Sequence, residues 1–240
     1  MWLDVTQYYE FYQSSLGHAT QRLITRKIHQ LWPNTHGKVV GGYGYPNPYL
    51  NIFYEEAERT ISLMPAPQGV MPWPSSEKNC AILTEEATFP LSDQSIDRLL
   101  VIHGIEHTES THDLLREFWR ILSPGGRLLL VAPNRRGFWT RTVSTPFGHG
   151  QSYTGNQLFG LVEASLFTPL KAYYCLYLPP SQSFLTFQFY ESSESVGEHL
   201  FKKLGGVVLV EAEKRVLSPT KKEAKAWNKS LVFVPKPLVR

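Results

Sequence analysis

The sequence predicts an α/β fold, with a mostly parallel sheet carrying helices on both faces. Three observations point there. Apolar runs of strand length alternate with amphipathic helical stretches, the order that right-handed crossover units impose. A Pro124-Gly125-Gly126 turn leads from one such helix straight into the apolar run 127–132, which reads as a buried strand. The chain has 240 residues and is 42% hydrophobic, which suits one large domain with a sizeable core.

The elements follow in order. Residues 8–32 carry Phe11, Leu16, Leu23, Ile24, Ile28 and Leu31 near helical spacing. Gly17 is the expected break between two helices, and Pro33-Asn34 the stop. Residues 38–43 read as a strand, 49–58 as a helix, and 60–64, 79–84 and 97–102 as three further strands. The helix over 110–122 is the clearest. It has Leu114, Leu115, Phe118, Ile121 and Leu122 on one face, with Arg116 and Glu117 on the other. A helix near 155–164, a strand near 170–176 and a last strand over 207–216 complete the pattern. The polar and aromatic mix at 179–203 fits a helix, a lid or an interface. The implied organisation is a helical extension over 1–36, one α/β domain over 37–217 and a basic tail over 218–240.

Composition narrows the function classes. Residues 214–240 hold eight Lys or Arg against one acid, so the net charge of +3 divides into +7 there and −4 over the rest. A basic end can touch nucleic acid or anionic lipid, but no interleaving of aromatic and basic residues extends into the body. Nucleic acid is therefore not the expected partner. Cys80 and Cys175 match neither a disulfide framework nor a zinc spacing, and a reducing cytoplasm is expected. The first ten residues lack the basic-then-apolar pattern of a signal peptide, and no apolar run reaches membrane-spanning length. The 13% aromatic content fits either an aromatic-lined pocket or a ring-filled core.

The most informative stretch runs from Glu85 to Asn134. Glu85-Glu86 precede the turn Phe89-Pro90-Leu91, and Ile96-Asp97 open an apolar strand. His103-Gly-Ile-Glu106-His107 follows, then Leu114-Leu-Arg-Glu-Phe-Trp-Arg-Ile-Leu122, the Pro-Gly-Gly turn, and Leu128-Leu-Leu-Val-Ala-Pro-Asn134. In these motifs the chain resembles the class I S-adenosylmethionine-dependent methyltransferases, especially those acting on small molecules. The likeness continues through Ser152-Tyr153-Thr154, Leu158 and residues 164–167. It implies a Rossmann-like seven-stranded methyltransferase sheet, S-adenosylmethionine as cofactor and a small-molecule methyl acceptor.

The resemblance implies cofactor contacts from Gly42, Gly44 and Tyr45 in the first loop, Met64 after the second strand, Glu85 and Glu86 toward the adenine, and His103 after the fourth strand. An open α/β sheet binds ligands where the carboxyl ends of its strands meet the reversal of strand order, which brings these loops together. His107, Arg135 and Arg136 are the expected substrate-side residues, the arginines as clamps for a carboxylate or phosphate. His149 is the expected general base, because a neutral imidazole can accept a proton near pH 7, and Tyr153 is expected to close over the pocket. His103-x-x-Glu106-His107 also spells an inverted zinc-protease motif, but that chemistry needs a helix, and here the motif follows a strand and contains Gly104. No metal is expected.

The glycine loop departs from the family. Pro46 and Pro48 stand where its two later glycines fall, and proline removes an N–H that could bind a ligand. Gly42 replaces an acid, and Pro65-Ala66-Pro67-Gln68 holds no ribose-binding acid. Gln68 or the Met64 backbone would have to substitute. Two readings follow: altered cofactor contacts, or a catalytically silent protein that serves as an interaction or scaffold subunit with a protein partner.

Overall fold

In the computed structural model, residues 2–75, 78–180, 194–201 and 203–216 are described. Seven strands form one sheet: β1 Val39–Gly44, β2 Arg59–Pro65, β3 Ala81–Thr84, β4 Ile96–Ile102, β5 Leu122–Pro133, β6 Thr168–Cys175 and β7 Val207–Glu213. Their order is β3-β2-β1-β4-β5-β7-β6. The first five are mutually parallel, while β7 runs antiparallel to both β5 and β6. The predicted Rossmann-like sheet is present, and strand order reverses between β1 and β4.

Alternation along β4 shows how the two faces are built. Leu100 and Ile102 face one apolar layer, with Val40, Met64, Leu129, Val131 and Leu209. Leu99 and Val101 face the other, with Leu63, Leu128, Leu130, Val208 and Val210. Side chains two residues apart share a face. The first layer is closed by the helices α1 Val5–Gln13 and α2 Ser15–Leu31. The second is closed by α4 Thr111–Ile121 and α5 Gly155–Ala164, with the single turn α3 Asn47–Leu50 lying on the first side. Phe118 of α4 is fully buried and meets Tyr43 edge-on at 5.1 Å and Phe89 face-on at 5.8 Å. Truncating Phe118 to alanine is expected to cost about 3–5 kcal/mol, read as a lower urea midpoint at unchanged slope.

Several boundaries differ from the sequence expectation: the last strand ends at Glu213 rather than 216, β5 begins at Leu122, ahead of the Pro-Gly-Gly turn, and three further differences have a visible cause. The helical break falls at Ser14, whose hydroxyl accepts from the Gly17 N–H at 3.0 Å and so caps α2. Gly17 lies inside α2 for another reason: a Cβ there would meet the Phe11 carbonyl oxygen at 1.9 Å. The helix expected over 49–58 shortens to α3 and then continues as turns, with Phe53 and Tyr54 N–H groups reaching back only three residues. The third strand starts at Ala81 because the Asn79 side-chain carbonyl accepts from the Trp73 and Ala81 N–H groups, forming a turn before it. The basic tail and most of the 179–203 stretch lie outside the described residues. No helix among the described residues is long and apolar enough to cross a membrane.

Candidate functional site

The loops after β1, β2, β3 and β4 open at the reversal point, where such sheets bind ligands. Here the chain's own N-terminus covers all four. After β1, Tyr45 is stacked by Tyr8 at 5.1 Å and by Tyr12 at 5.8 Å. After β2, the Gln68 carbonyl accepts from the Val5 N–H at 2.9 Å. After β3, a Glu86 carboxylate oxygen accepts from Trp2 Nε1 at 2.7 Å. After β4, His103 lies 4.8 Å from the Tyr8 ring, and Trp2 lies 5.2 Å from His107. The segment is seated by its own cap as well: Asp4 and Gln7 form a reciprocal capping box at the start of α1.

Tyr8 and Tyr12, one helical turn apart, plug the centre of the cleft and are essentially buried. The Tyr12 hydroxyl lies 2.7 Å from the Tyr49 hydroxyl and 2.7 Å from His103 Nε2. His103 Nδ1 faces Glu106 Oε1 at 3.4 Å. With a His103 proton on Nδ1, toward Glu106, Tyr49 donates to Tyr12 and Tyr12 to His103 Nε2. The Tyr8 hydroxyl meets His107 Nε2 at 3.0 Å. Burial, with the nearby Glu106 charge, pushes the Tyr8 phenol well above its ordinary range, and burial with the surrounding tyrosines does the same to Tyr12. Both remain neutral donors. Burial also pushes the Glu106 carboxyl up, but the bond to His103, the His107 and His103 charges and a backbone bond outweigh it and hold the carboxyl below its usual value. His103 itself adopts a φ of 55°, a conformation that costs a non-glycine residue roughly 1–3 kcal/mol and is found where a site over-determines it.

These residues do not fit S-adenosylmethionine as they are arranged. Gly44 has a φ of 95°, and a Cβ there would meet the Ile102 carbonyl oxygen at 2.2 Å. The chain turns directly onto β4, with the Tyr45 N–H donating to that same oxygen at 2.9 Å. The Gly44 carbonyl accepts from Gln68 Nε2 at 2.9 Å, which ties the amide nitrogen of Gln68, the expected stand-in for a ribose contact, to the first loop and leaves its buried Oε1 without a hydrogen-bond partner. Gly42 is closed by Pro46, whose Cβ sits 2.5 Å from where a side chain would begin. Met64 is buried with the Asn47 amide 3.9 Å from its sulfur. Of the two expected adenine-side acids, Glu85 is exposed and only Glu86 faces the cleft, where Trp2, Thr108 and the Glu109 N–H already bind it.

The substrate-side residues divide. Tyr153 is buried with its hydroxyl donating to the Ile105 carbonyl at 3.2 Å, so it closes over the loop after β4. His107 lies in the cleft against Tyr8 and Trp2. Arg135 and Arg136 are exposed, and Arg135 donates to the Ser152 carbonyl at 2.9 Å. His149 Nε2 lies 2.8 Å from the Val143 carbonyl of its own loop. The residue of that loop that enters the cleft is Phe147, 4.8 Å from the His103 ring. The sequence reading missed Trp2, Tyr8, Tyr12, Glu106 and Phe147. The spacing of Tyr8 and Tyr12 was a signal, but it reads equally as an ordinary buried helix face. No group of three metal-ligating side chains occurs among the described residues.

Residues 56–130 match the family model described as Methyltransferase domain. No curated protein sequence matches the chain. Among solved structures, the chain is similar to a SAM-dependent methyltransferase of Thermotoga maritima, at a TM-score of 0.61 and 15% identity, covering 88% of this chain and 96% of that one. The Haloferax volcanii structure of the Trm112 methyltransferase activator in complex with its partner gives 0.61 and 15%, over 87% and 97%. A SAM-dependent methyltransferase of Archaeoglobus fulgidus gives 0.57 and 16%, over 81% and 94%. The chain thus has the fold of the class I S-adenosylmethionine-dependent methyltransferases, and its residues 56–130 match a methyltransferase domain.

Proposed function

We propose that this chain is a catalytically silent member of the methyltransferase fold, working as an interaction or scaffold subunit while its N-terminal segment fills the cofactor cleft. One observation carries the reading: residues 2–12 contact the loops after β1, β2, β3 and β4 at once, with Tyr8 and Tyr12 buried at the reversal point. The missing acid after β2 and the prolines of the first loop agree with it. A structural neighbour with this fold occurs in complex with a protein activator, so the fold is compatible with a protein partner.

A second reading has its own support. The methyltransferase match spans 56–130, and Glu86 and His103 remain at the cleft. On this reading the N-terminal segment withdraws, S-adenosylmethionine enters, and a small-molecule acceptor is methylated. Methyl transfer asks little of the protein beyond alignment and exclusion of water, because the sulfonium carbon is already electrophilic.

Calorimetric titration of the full chain with S-adenosylmethionine separates the two. The silent reading expects no saturable heat up to about 1 mM cofactor. Binding at about 10 μM, weakened tenfold or more by Glu86→Ala, would overturn it in favour of the gated enzyme.

A further inference from the structure

Beside the closed cleft, a groove runs between α1, α2, α3 and the loop 71–75. One end encloses about 710 Å³ and includes Tyr9, Tyr45, Met71 and Trp73 in its wall. The other encloses about 660 Å³ and includes Arg22 and Thr25. The two share His18, Gln21, Pro48 and Asn51, so they form one continuous groove. Each end has the size of a small-molecule site.

Its chemistry is one-sided. Neither wall contains an acid among the described residues. His18 and Arg22 stand one helical turn apart on α2, and neither takes part in an ion pair or side-chain hydrogen bond among the described residues. The Thr25 hydroxyl is buried in the same wall with no hydrogen-bond partner, a cost that native structures rarely leave unexplained. The aromatic end is firm. Trp73 Nε1 donates to the Asn51 side-chain carbonyl at 2.9 Å, and Tyr54 meets the Trp73 ring edge-on at 5.6 Å. The Tyr45 hydroxyl points to the Met71 sulfur at 3.5 Å, and Tyr9 stands 47% exposed at the rim. A larger hollow of about 890 Å³ beside α4 lacks this character, because its Arg120 is already bound by Glu117 and Asp93.

We infer that this groove binds a small planar aromatic anion, its ring toward Tyr9, Tyr45 and Trp73 and its phosphate or carboxylate at Arg22, His18 and Thr25. Between the two ends, Gln21 Oε1 and Asn51 Nδ2, the amide atoms not engaged with Pro48 and Trp73, suit a ligand with polar ring edges. The anion end is independent of whether the cleft ever admits a cofactor, since Arg22 and Thr25 lie outside it, whereas the ring end needs α1 in place, since Tyr9 and Tyr12 belong to the segment that fills the cleft.

The test is calorimetry on the full chain with four probes: adenosine 5′-monophosphate, indole-3-acetate, adenosine and inorganic phosphate. At least one of the two aromatic anions is expected to bind with a Kd below about 1 mM, with adenosine and phosphate at least about tenfold weaker. Arg22→Ala is expected to weaken that binding about tenfold and Thr25→Val several-fold, with melting temperature held as the check on folding. Binding of the nucleotide alone assigns a phosphate, and binding of the indole acid alone a carboxylate. The proposal is overturned if neither anion binds by about 5 mM, if phosphate alone binds as tightly as the nucleotide, or if both variants bind unchanged.

Discussion

Gly44→Ala is expected to destabilise the fold by about 2–4 kcal/mol. Two causes add. Gly44 holds a φ of 95°, where an L side chain is strained, and its Cβ would approach the Ile102 carbonyl oxygen to 2.2 Å. That neighbour is backbone, already accepting from the Tyr45 N–H, and it cannot rotate away. The matching control is Gly37→Ala, where φ is 66° but nothing lies within 4 Å of the added carbon. That change should cost only about 1–2 kcal/mol, the strain alone. Urea unfolding of both variants measures the difference. Equal losses would mean that the turn from β1 onto β4 is looser than described.

Glu106→Gln is expected to cost about 1.5–3 kcal/mol at pH 7 and to flatten the acid limb of the stability profile. The Glu106 carboxylate is buried, faces His103 Nδ1 at 3.4 Å and accepts from the Gly104 N–H at 3.1 Å. Its carboxyl is held below the usual value in the folded protein, despite burial acting the other way. A carboxyl depressed on folding contributes stability that is fully present above its unfolded pKa, near 4.3, and is lost as pH falls through the folded value. The wild-type urea midpoint should therefore fall from about pH 5 downward more steeply than that of the glutamine variant. Parallel profiles would show that the acid limb belongs to other carboxylates, such as Glu117 at Arg120.

The sheet was legible because its signals are local. The apolar runs that became β4 and β5, and the one-sided helix that became α4, are each bounded by turn residues within the sequence itself. The cleft was legible only in part. Glu86, His103 and His107 follow strands whose carboxyl ends must converge, so their placement came from topology. Trp2, Tyr8 and Tyr12 reach the same place from an extension whose docking no strand order dictates. His149 illustrates the opposite error. Its loop does overhang the cleft, but the side chain that turns inward is Phe147, packed edge-on to Trp139 at 5.6 Å. The short α3 also involves a distant contact: Asn51, the third residue of the expected helix and the C-cap of α3, accepts from Trp73 of a loop twenty-two residues away.

The prolines of the first loop had a consequence that the sequence reading anticipated only as lost donors. Pro46 also fills the space over Gly42, and Pro48 offers its carbonyl to Gln21 of α2 at 2.8 Å. A loop that would cradle a ligand instead anchors the helical extension that covers it. Fold and occlusion thus arise from the same residues.

The most direct test of the occluded cleft is amide hydrogen exchange over residues 8–13 of α1, with and without about 1 mM S-adenosylmethionine. Slow exchange, within about tenfold of that in α2 and unchanged by the cofactor, is the predicted result. Fast exchange in the free protein, or protection that shifts when cofactor is added, would mean that the segment leaves the cleft, contradicting the occluded state described here.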